Sequence, residues 1–355
     1  MGKVMKIFQL FRDPYSPNEN PYIATLMDGV KAYDNEVEFG YGLAEFWDGR
    51  VLEYDILHIH WPQVMLPVHP EQEDVKRAEN RLKELKQSGV NIVVTCHNLK
   101  AHYAKRPEFD QIYDVAYSAA DVILHMGRWS KQQLVTKFPQ ARHELLPHHT
   151  YDTLYKQVGH EESIQKLGLP SNKRYILCFG AFRDDEEREI ADQIADHYRT
   201  QGYDLLAPAY VRWAKRRNLV IWTLQWLHWK YLCITKKGIH IYGRFVSNEL
   251  LPYFYGAADI SIIQRKKILN SGNLPLSFLM GHVVVGPSVG NVGQILEETG
   301  NPTFVPGDTE SLFKAVDNAL ELKKRGQGQA NKSYAEQHFT TAIVARQLDD
   351  IYKSL

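Results

Sequence analysis

An α/β fold made of two consecutive parallel-sheet domains is predicted by three features of this sequence. Short β-rich runs alternate with helical stretches from residue 4 to residue 137. The alternation restarts near residue 175, after the segment Leu145-Leu146-Pro147-His148-His149-Thr150. Runs such as Val283-Val284-Val285 are apolar throughout, as strands are when helices cover both faces of a sheet.

Residues 4–10 read as the first strand, 23–31 as a helix, 37–39 as a short strand and 56–60 as a strand ending in His60-Trp61-Pro62. A polar helix over 71–88, closed by Gly89, leads to a strand at 91–95, which is a βαβ pattern. Helix 107–119, strand 122–125 and helix 131–137 complete a first domain, residues 1–150. The second domain, 151–332, carries strands at 175–179, 203–207, 239–242, 260–263 and 283–285, with helices at 186–200 and 248–256. The last segment, 333–355, reads as one helix or two short ones, with the N-terminal domain as its expected packing partner.

At 355 residues and 44% hydrophobic content, the chain can bury a substantial core divided between two domains. Lys+Arg and Asp+Glu balance at 42 each, so no global charge asks for nucleic acid. Cys96, Cys178 and Cys233 are far apart and lack metal-type spacing, which fits a reducing compartment. The start is too short and too interrupted for a signal peptide, and no run of about 18 apolar residues is present, so the expected location is the cytoplasm.

Residues 270–287 are the most informative stretch. Asn270-Ser271-Gly272-Asn273 reads as a small turn opening a helix, followed by a buried strand that stops at Gly286-Pro287. Free amides at a helix start, together with the helix dipole, make an anion site. Ser271 as a plain helix cap is the competing reading.

Several motifs in order resemble GT-B glycosyltransferases related to family 4, and a bacterial exopolysaccharide branch in particular. In the second half these are Ala257-Ala258-Asp259, Asn270-Ser271-Gly272 and Gly281-His282-Val283-Val284-Val285-Gly286-Pro287. In the first half they are Asn20-Pro21-Tyr22, His58-Ile59-His60-Trp61-Pro62, Thr95-Cys96-His97-Asn98 and Leu146-Pro147-His148-His149. The resemblance implies two Rossmann-like domains facing across a cleft, the second binding a nucleotide-sugar donor and the first an acceptor. It further implies transfer of a sugar to a hydroxyl of a glycan or polyprenyl-linked saccharide, with the nucleotide-sugar as substrate and with no metal or other cofactor.

Charge builds on the departing diphosphate as the glycosidic bond breaks, so the site must stabilise it. Backbone amides of Gly272, Asn273 and Leu274, with the Ser271 hydroxyl, are the expected donors. Arg183, after Gly180-Ala181-Phe182, stands where the family places a cation facing the phosphates; its alternative is a surface arginine beside Asp184-Asp185-Glu186-Glu187. His97 occupies the place of a family histidine that contacts the donor sugar or supports the reaction, and His60 and Trp61 end the neighbouring strand. Asp13, Glu19 and Asn20 follow the first strand on the acceptor side, with Asp13 or Glu19 as candidate general base if the reaction inverts. Each of the three has a solvated loop as its alternative.

The sequence departs from the family in three places. Residues 269–278 contain no acidic side chain where many retaining members hold the nucleotide ribose. Glu186 stands near a usual lysine, which leaves Lys266 or Lys267 to supply the cation. His282-Val283 lacks a usual proline, a structural change. The first two departures keep a non-catalytic, glycan-binding or partner-supporting GT-B protein as the alternative function.

Residues 210–237 contain Arg212, Lys215, Arg216, Arg217, Lys230, Lys236 and Lys237, four tryptophans, and no Asp or Glu. Tryptophan and cations together suit a membrane surface. Trp222, Trp226 and Trp229 also fall at the spacing of a core stripe on a helix pair, so both readings stand. No Gly-x-Ser-x-Gly elbow, Walker lysine, metal-spaced histidine set or first-turn Gly-x-Gly-x-x-Gly points to other chemistry.

Overall fold

The computed structural model describes residues 4–17, 19–101, 106–211, 219–242 and 246–355. The chain divides into two compact units, Met1–His149 with His338–Leu355, and Thr150–Gln337.

The first unit is built around a six-stranded sheet in the order β2-β1-β3-β4-β5-β6, every neighbouring pair parallel. Its elements run β1 (Met5–Leu10), α1 (Tyr22–Tyr33), β2 (Val37–Tyr41), β3 (Ile56–Ile59), α2 (Gln72–Gln87), β4 (Asn91–Cys96), α3 (Glu108–Ala119), β5 (Val122–His125), α4 (Arg128–Leu134) and β6 (Arg142–Leu145). Parallel pairing needs crossover connections, and the helical segments between strands supply them. Strands β3 and β5 are buried at every position, including His58 and His125, which hydrogen bonds satisfy. Helix α2 starts in a capping box between Glu71 and Asp74 and stops at Gly89, whose φ of +86° only glycine adopts freely. Helix α4 begins three residues before the predicted 131, because extended Gly127 opens it and accepts the Ser130 hydroxyl at 3.0 Å.

The second unit holds another six-stranded parallel sheet, ordered β12-β11-β10-β7-β8-β9. In chain order its elements are α5 (His160–Leu167), β7 (Arg174–Leu177), α6 (Asp185–Arg199), β8 (Tyr203–Leu206), α7 (Leu219–Thr235), β9 (Ile239–His240), α8 (Leu251–Ala257), β10 (Ile260–Ile262), α9 (Asn273–Leu279), β11 (Val283–Pro287), α10 (Gly290–Glu298), β12 (Thr303–Phe304), α11 (Thr309–Lys324) and α12 (Gln327–His338). Ile176, Ile190, Ile194, Leu205, Ile260, Val283, Val285 and Val316 share its core. His282, at the missing proline, is structural: its Nδ1 meets Ser261 Oγ at 2.7 Å and its Nε2 donates to the Tyr255 carbonyl at 2.9 Å.

The final helix, α13 (Thr341–Lys353), belongs to the first unit and lies on α1. Gly29 allows this approach, since a Cβ there would sit 2.9 Å from the Ala345 Cβ.

Residues 219–235 form one helix, on which Trp226 is exposed while Trp222 and Trp229 are half-buried. Arg212, Trp213, Lys215, Arg216 and Arg217 lie outside the described residues.

Candidate functional site

In an open α/β sheet, ligands gather beyond the carboxyl ends of the strands where the strand order reverses. In the first unit that point is β1/β3, since β2 flanks one side of β1 and β3 the other. Gln9, near the end of β1, and His60, just past β3, meet there: His60 Nε2 lies 2.8 Å from Gln9 Oε1. His58 and His60 are two apart along an extended segment, and so share a face. Their rings lie 4.1 Å apart. His97, just beyond β4, brings its Nε2 to 3.3 Å from His60 Nδ1.

The network runs back to the C-terminal helix. Tyr352 Oη lies 2.5 Å from His58 Nδ1, receives Gln9 Nε2–H at 3.4 Å, and His58 Nε2 meets Thr95 Oγ1 at 2.7 Å. Tyr22, at the start of α1, stacks on His149 and presents its ring to His60, His97 and His148. Trp61 stacks on His97 with ring centres 4.4 Å apart. Burial holds these histidines neutral. His58 and His148 are pushed down to about 3, chiefly by desolvation, and His60 and His97 well below the ordinary histidine value for the same reason. The phenol of Tyr22 is fully buried and has no hydrogen-bond partner among the described residues.

The acceptor-side loop is arranged differently from a carboxylate aimed at the histidines. Asp13 is exposed, accepts the Tyr15 amide at 3.0 Å, and makes no hydrogen bond or ion pair with the histidine cluster among the described residues. Glu19 is 3.8 Å from Arg12, and Asn20 accepts the Tyr22 amide at 3.0 Å, which sets the entry into α1. The structure therefore joins His60, Trp61 and His97 and leaves Asp13 and Glu19 outside their network.

In the second unit the strand order reverses at β7/β10. Gly180 follows β7 with φ +105°, a conformation open to glycine, and a Cβ there would lie 2.8 Å from Asn273 Nδ2. Asn273 donates that amide to the Phe179 carbonyl at 2.7 Å. Arg265, beyond β10, is buried; it donates to the Ala181 carbonyl at 3.1 Å and to Glu187 at 2.6 Å. Glu187 accepts the Arg183 amide on its other oxygen at 2.8 Å. Three side chains thus fix the loop that carries half-buried Arg183.

The turn at 270–273 is held from α10, where Asn291 bonds Asn270 Oδ1 at 2.7 Å and donates its backbone amide to the Leu269 carbonyl at 3.0 Å. The cap of α9 is Gly272 without any side-chain cap bond, so Ser271 is not a helix cap here. The Leu274 amide is used by the Ser271 carbonyl at 3.2 Å, which removes it from the expected anion donors. The Gly272 and Asn273 amides have no backbone acceptor among the described residues. Lys266 turns away from the turn, toward Glu186 and Glu189 of α6, each 3.9 Å from its ammonium. Its neighbour Arg265, which the sequence does not single out, takes the buried place instead.

Among the described residues no group of three His, Cys, Asp or Glu side chains is arranged to hold a metal ion. No helix among them is long and apolar enough to cross a membrane. Gln9 and Tyr352 also go unread in the sequence, and Tyr22 and His58 stand there only as parts of motifs, with no role of their own. The His-Ile-His spacing could have found His58, whereas Tyr352 is an ordinary helix position until the fold brings it to β3.

No protein-family model and no curated protein matches the sequence. Solved structures do match over nearly the whole chain. Sucrose-phosphate synthase from Thermosynechococcus elongatus is 15% identical, with TM-score 0.73 over 99% of this chain and 98% of that one. Anabaena HepE in complex with UDP-glucose is 14% identical, with TM-score 0.70 over 99% and 100%. The catalytic domain of starch synthase IV from Arabidopsis thaliana, bound to ADP and acarbose, is 10% identical, with TM-score 0.67 over 100% and 99%. With its two six-stranded parallel sheets and flanking helices, this chain has the two-Rossmann-domain fold of the GT-B glycosyltransferases.

Proposed function

We propose that the protein is a glycosyltransferase that moves a hexosyl group from a nucleotide-sugar donor to a hydroxyl of a glycan or polyprenyl-linked saccharide. The observation that carries this is the β7/β10 switch point, where two amides of a rigid turn lie unclaimed and Asn273 ties that turn to the loop bearing Arg183. Such a preorganised set of donors suits a leaving diphosphate. In this reading Gly272 and Asn273 hold the diphosphate with the Ser271 hydroxyl and Arg183, while Arg265 and Glu187 position the loop.

The first unit takes a glycan acceptor. A neutral, desolvated His97 stacked on Trp61 offers a polar atom beside an apolar plane, the combination a sugar ring requires. Asp13 is the carboxylate of the loop without an ion pair among the described residues, and it serves as base for the acceptor hydroxyl in an inverting reaction. A polyprenyl-linked acceptor sits at a bilayer, so the proposal includes cytoplasmic, peripheral membrane attachment through residues 210–237 and a place in exopolysaccharide synthesis.

Release of nucleoside diphosphate from a panel of nucleotide-sugars, with and without glycan acceptors, tests the proposal. Turnover that Arg183→Ala and Asp13→Asn each reduce at least tenfold is the expected result. The absence of any carboxylate over 269–278 favours a second reading, a non-catalytic glycan-binding protein. Glycan binding without turnover on any donor would establish that second reading.

A further inference from the structure

Helix α7 carries its apolar stripe on the outside. Its half-buried or buried positions are Trp222, Gln225, Trp229 and Leu232, a face that Lys236 continues just past the helix end and that packs on the rest of the second unit. On the opposite face Val220, Leu224, Leu227, Tyr231 and Ile234 follow one another at spacings of four and three. They are 67%, 61%, 52%, 62% and 76% exposed. A helix that is apolar on both faces, in a protein with a complete core, presents a surface for something other than water.

The segment that carries the stripe has charges of one sign, while Asp192 and Asp196 of α6 lie at its edge beside Tyr231 and Lys236. The sequence has no Asp or Glu between Asp204 and Glu249. On α7 and just after it, Lys230 lies over the rings of Trp226 and Trp229, Lys237 is exposed, and Lys236 is paired with Asp192 of α6 at 2.6 Å. Trp226 and Tyr231 are exposed beside these cations. Half-buried aromatic rings, a continuous aliphatic ridge and flanking lysines are the features of a helix lying in a lipid headgroup layer.

We infer that the outer face of α7 docks on an anionic bilayer, the helix lying along the interface with Leu224, Leu227 and Ile234 among the acyl carbons and Lys230 and Lys237 at the headgroups. A second copy of the chain fits less well. A two-fold contact through this helix would set one acid-free segment against its twin, and one helix face falls short of the about 800 Å² per partner of a standard interface. The inference gives the proposed membrane attachment its residues, and it rests on the α7 face rather than on sugar transfer.

Cosedimentation of the full chain with phosphatidylglycerol vesicles and with phosphatidylcholine vesicles, without donor or acceptor, tests it separately from any transferase activity. Binding to the anionic vesicles is expected to exceed binding to the neutral ones and to weaken with salt. Leu224→Gln with Ile234→Gln is expected to reduce it at least tenfold, and Lys230→Gln or Lys237→Gln about fivefold each. Cys96 and Cys178 are buried whereas Cys233 is exposed on α7, so a polarity-sensitive fluorophore on Cys233 is expected to shift to the blue on anionic vesicles alone. Thermal unfolding unchanged in these surface variants shows that they fold. Equal binding by wild type and the Leu224/Ile234 variant would overturn the inference. So would a wild-type dimer in sedimentation velocity that the same variant converts to monomer, with no vesicle binding by either.

Discussion

His60 Nδ1 and His97 Nε2 lie 3.3 Å apart, and the partners of His60 decide which of the two donates. Gln9 Oε1 can only accept, so His60 places its proton on Nε2 and keeps a lone pair on Nδ1. His97 must then donate through Nε2–H, and its Nδ1 becomes the acceptor. On the other side the Tyr352 hydroxyl, receiving Gln9 Nε2–H, donates to His58 Nδ1, and His58 donates to Thr95. One helix at the C-terminal end of the chain thus sets the tautomers of two histidines on β3 and beyond it.

Replacing Gln9 by leucine removes the acceptor that orders His60. Long-range nitrogen-proton spectra of the imidazoles should show one Nε2–H tautomer for His97 in the wild type and a mixture in Gln9→Leu. Turnover should fall about 10- to 100-fold through misorientation, with thermal stability changing far less. A single unchanged tautomer in the variant would refute the relay.

The neutral histidines also predict how stability depends on pH. His58, His125 and His148 are pushed down to about 3 and His282 to about 4, in each case mainly by burial. The unfolded chain binds their protons below about pH 6.5 and the folded chain does not, so stability is full above that value and falls as pH drops toward 4. Asp34, held below its ordinary value by Lys353, acts only in more acid solution and adds nothing between pH 5 and 6.5. Urea unfolding should therefore lose about 1.4 kcal/mol per pH unit for each such histidine once the pH is well below 6.5. A flat profile from pH 7 to 5 would contradict neutral burial.

Glu187 and Arg265 are both buried and 2.6 Å apart. Arg265→Met leaves a carboxylate buried without its partner, at a cost of about 3–5 kcal/mol. Adding Glu187→Gln should recover much of that loss in chemical denaturation, while nucleotide binding stays weak because the loop bearing Arg183 has lost its anchor.

Gly180 and Gly300 separate backbone strain from site geometry. Both have positive φ, but a Cβ at Gly300 meets nothing within 4 Å, whereas at Gly180 it meets Asn273. Alanine at either should destabilise by about 1 kcal/mol. Only Gly180→Ala should also weaken nucleotide affinity, measured by calorimetry.

How far the sequence announced all this depends on the kind of signal. Strand β5, an apolar run between clear breakers, lies at 122–125 as read, and the two-sheet alternation led to the right fold class. Helix α11 went unread although Pro306-Gly307-Asp308 marks its start, with Asp308 accepting the Ser311 amide at 3.0 Å, and the short strands β6 and β12, of four and two residues, are too brief for a period to show. At the site, His60, Trp61 and His97 were legible because strand ends in α/β sheets converge. Arg265 was not, because a charged residue beside Lys266 and Lys267 looks like surface until the fold supplies Glu187. Asp13 and Asn20 illustrate the opposite case, polar loop residues that accept the neighbouring backbone amides of Tyr15 and Tyr22.

The most direct test of the central claim is thermal unfolding of the purified chain across UDP, GDP, ADP, CMP and dTDP, since a ligand that binds only the folded state raises apparent stability by mass action. One nucleoside diphosphate should raise the midpoint, with the shift lost in Arg183→Ala and reduced in Gly180→Ala. No shift with any of them, at concentrations far above a millimolar-range dissociation constant, would contradict a nucleotide-sugar site at the β7/β10 switch point.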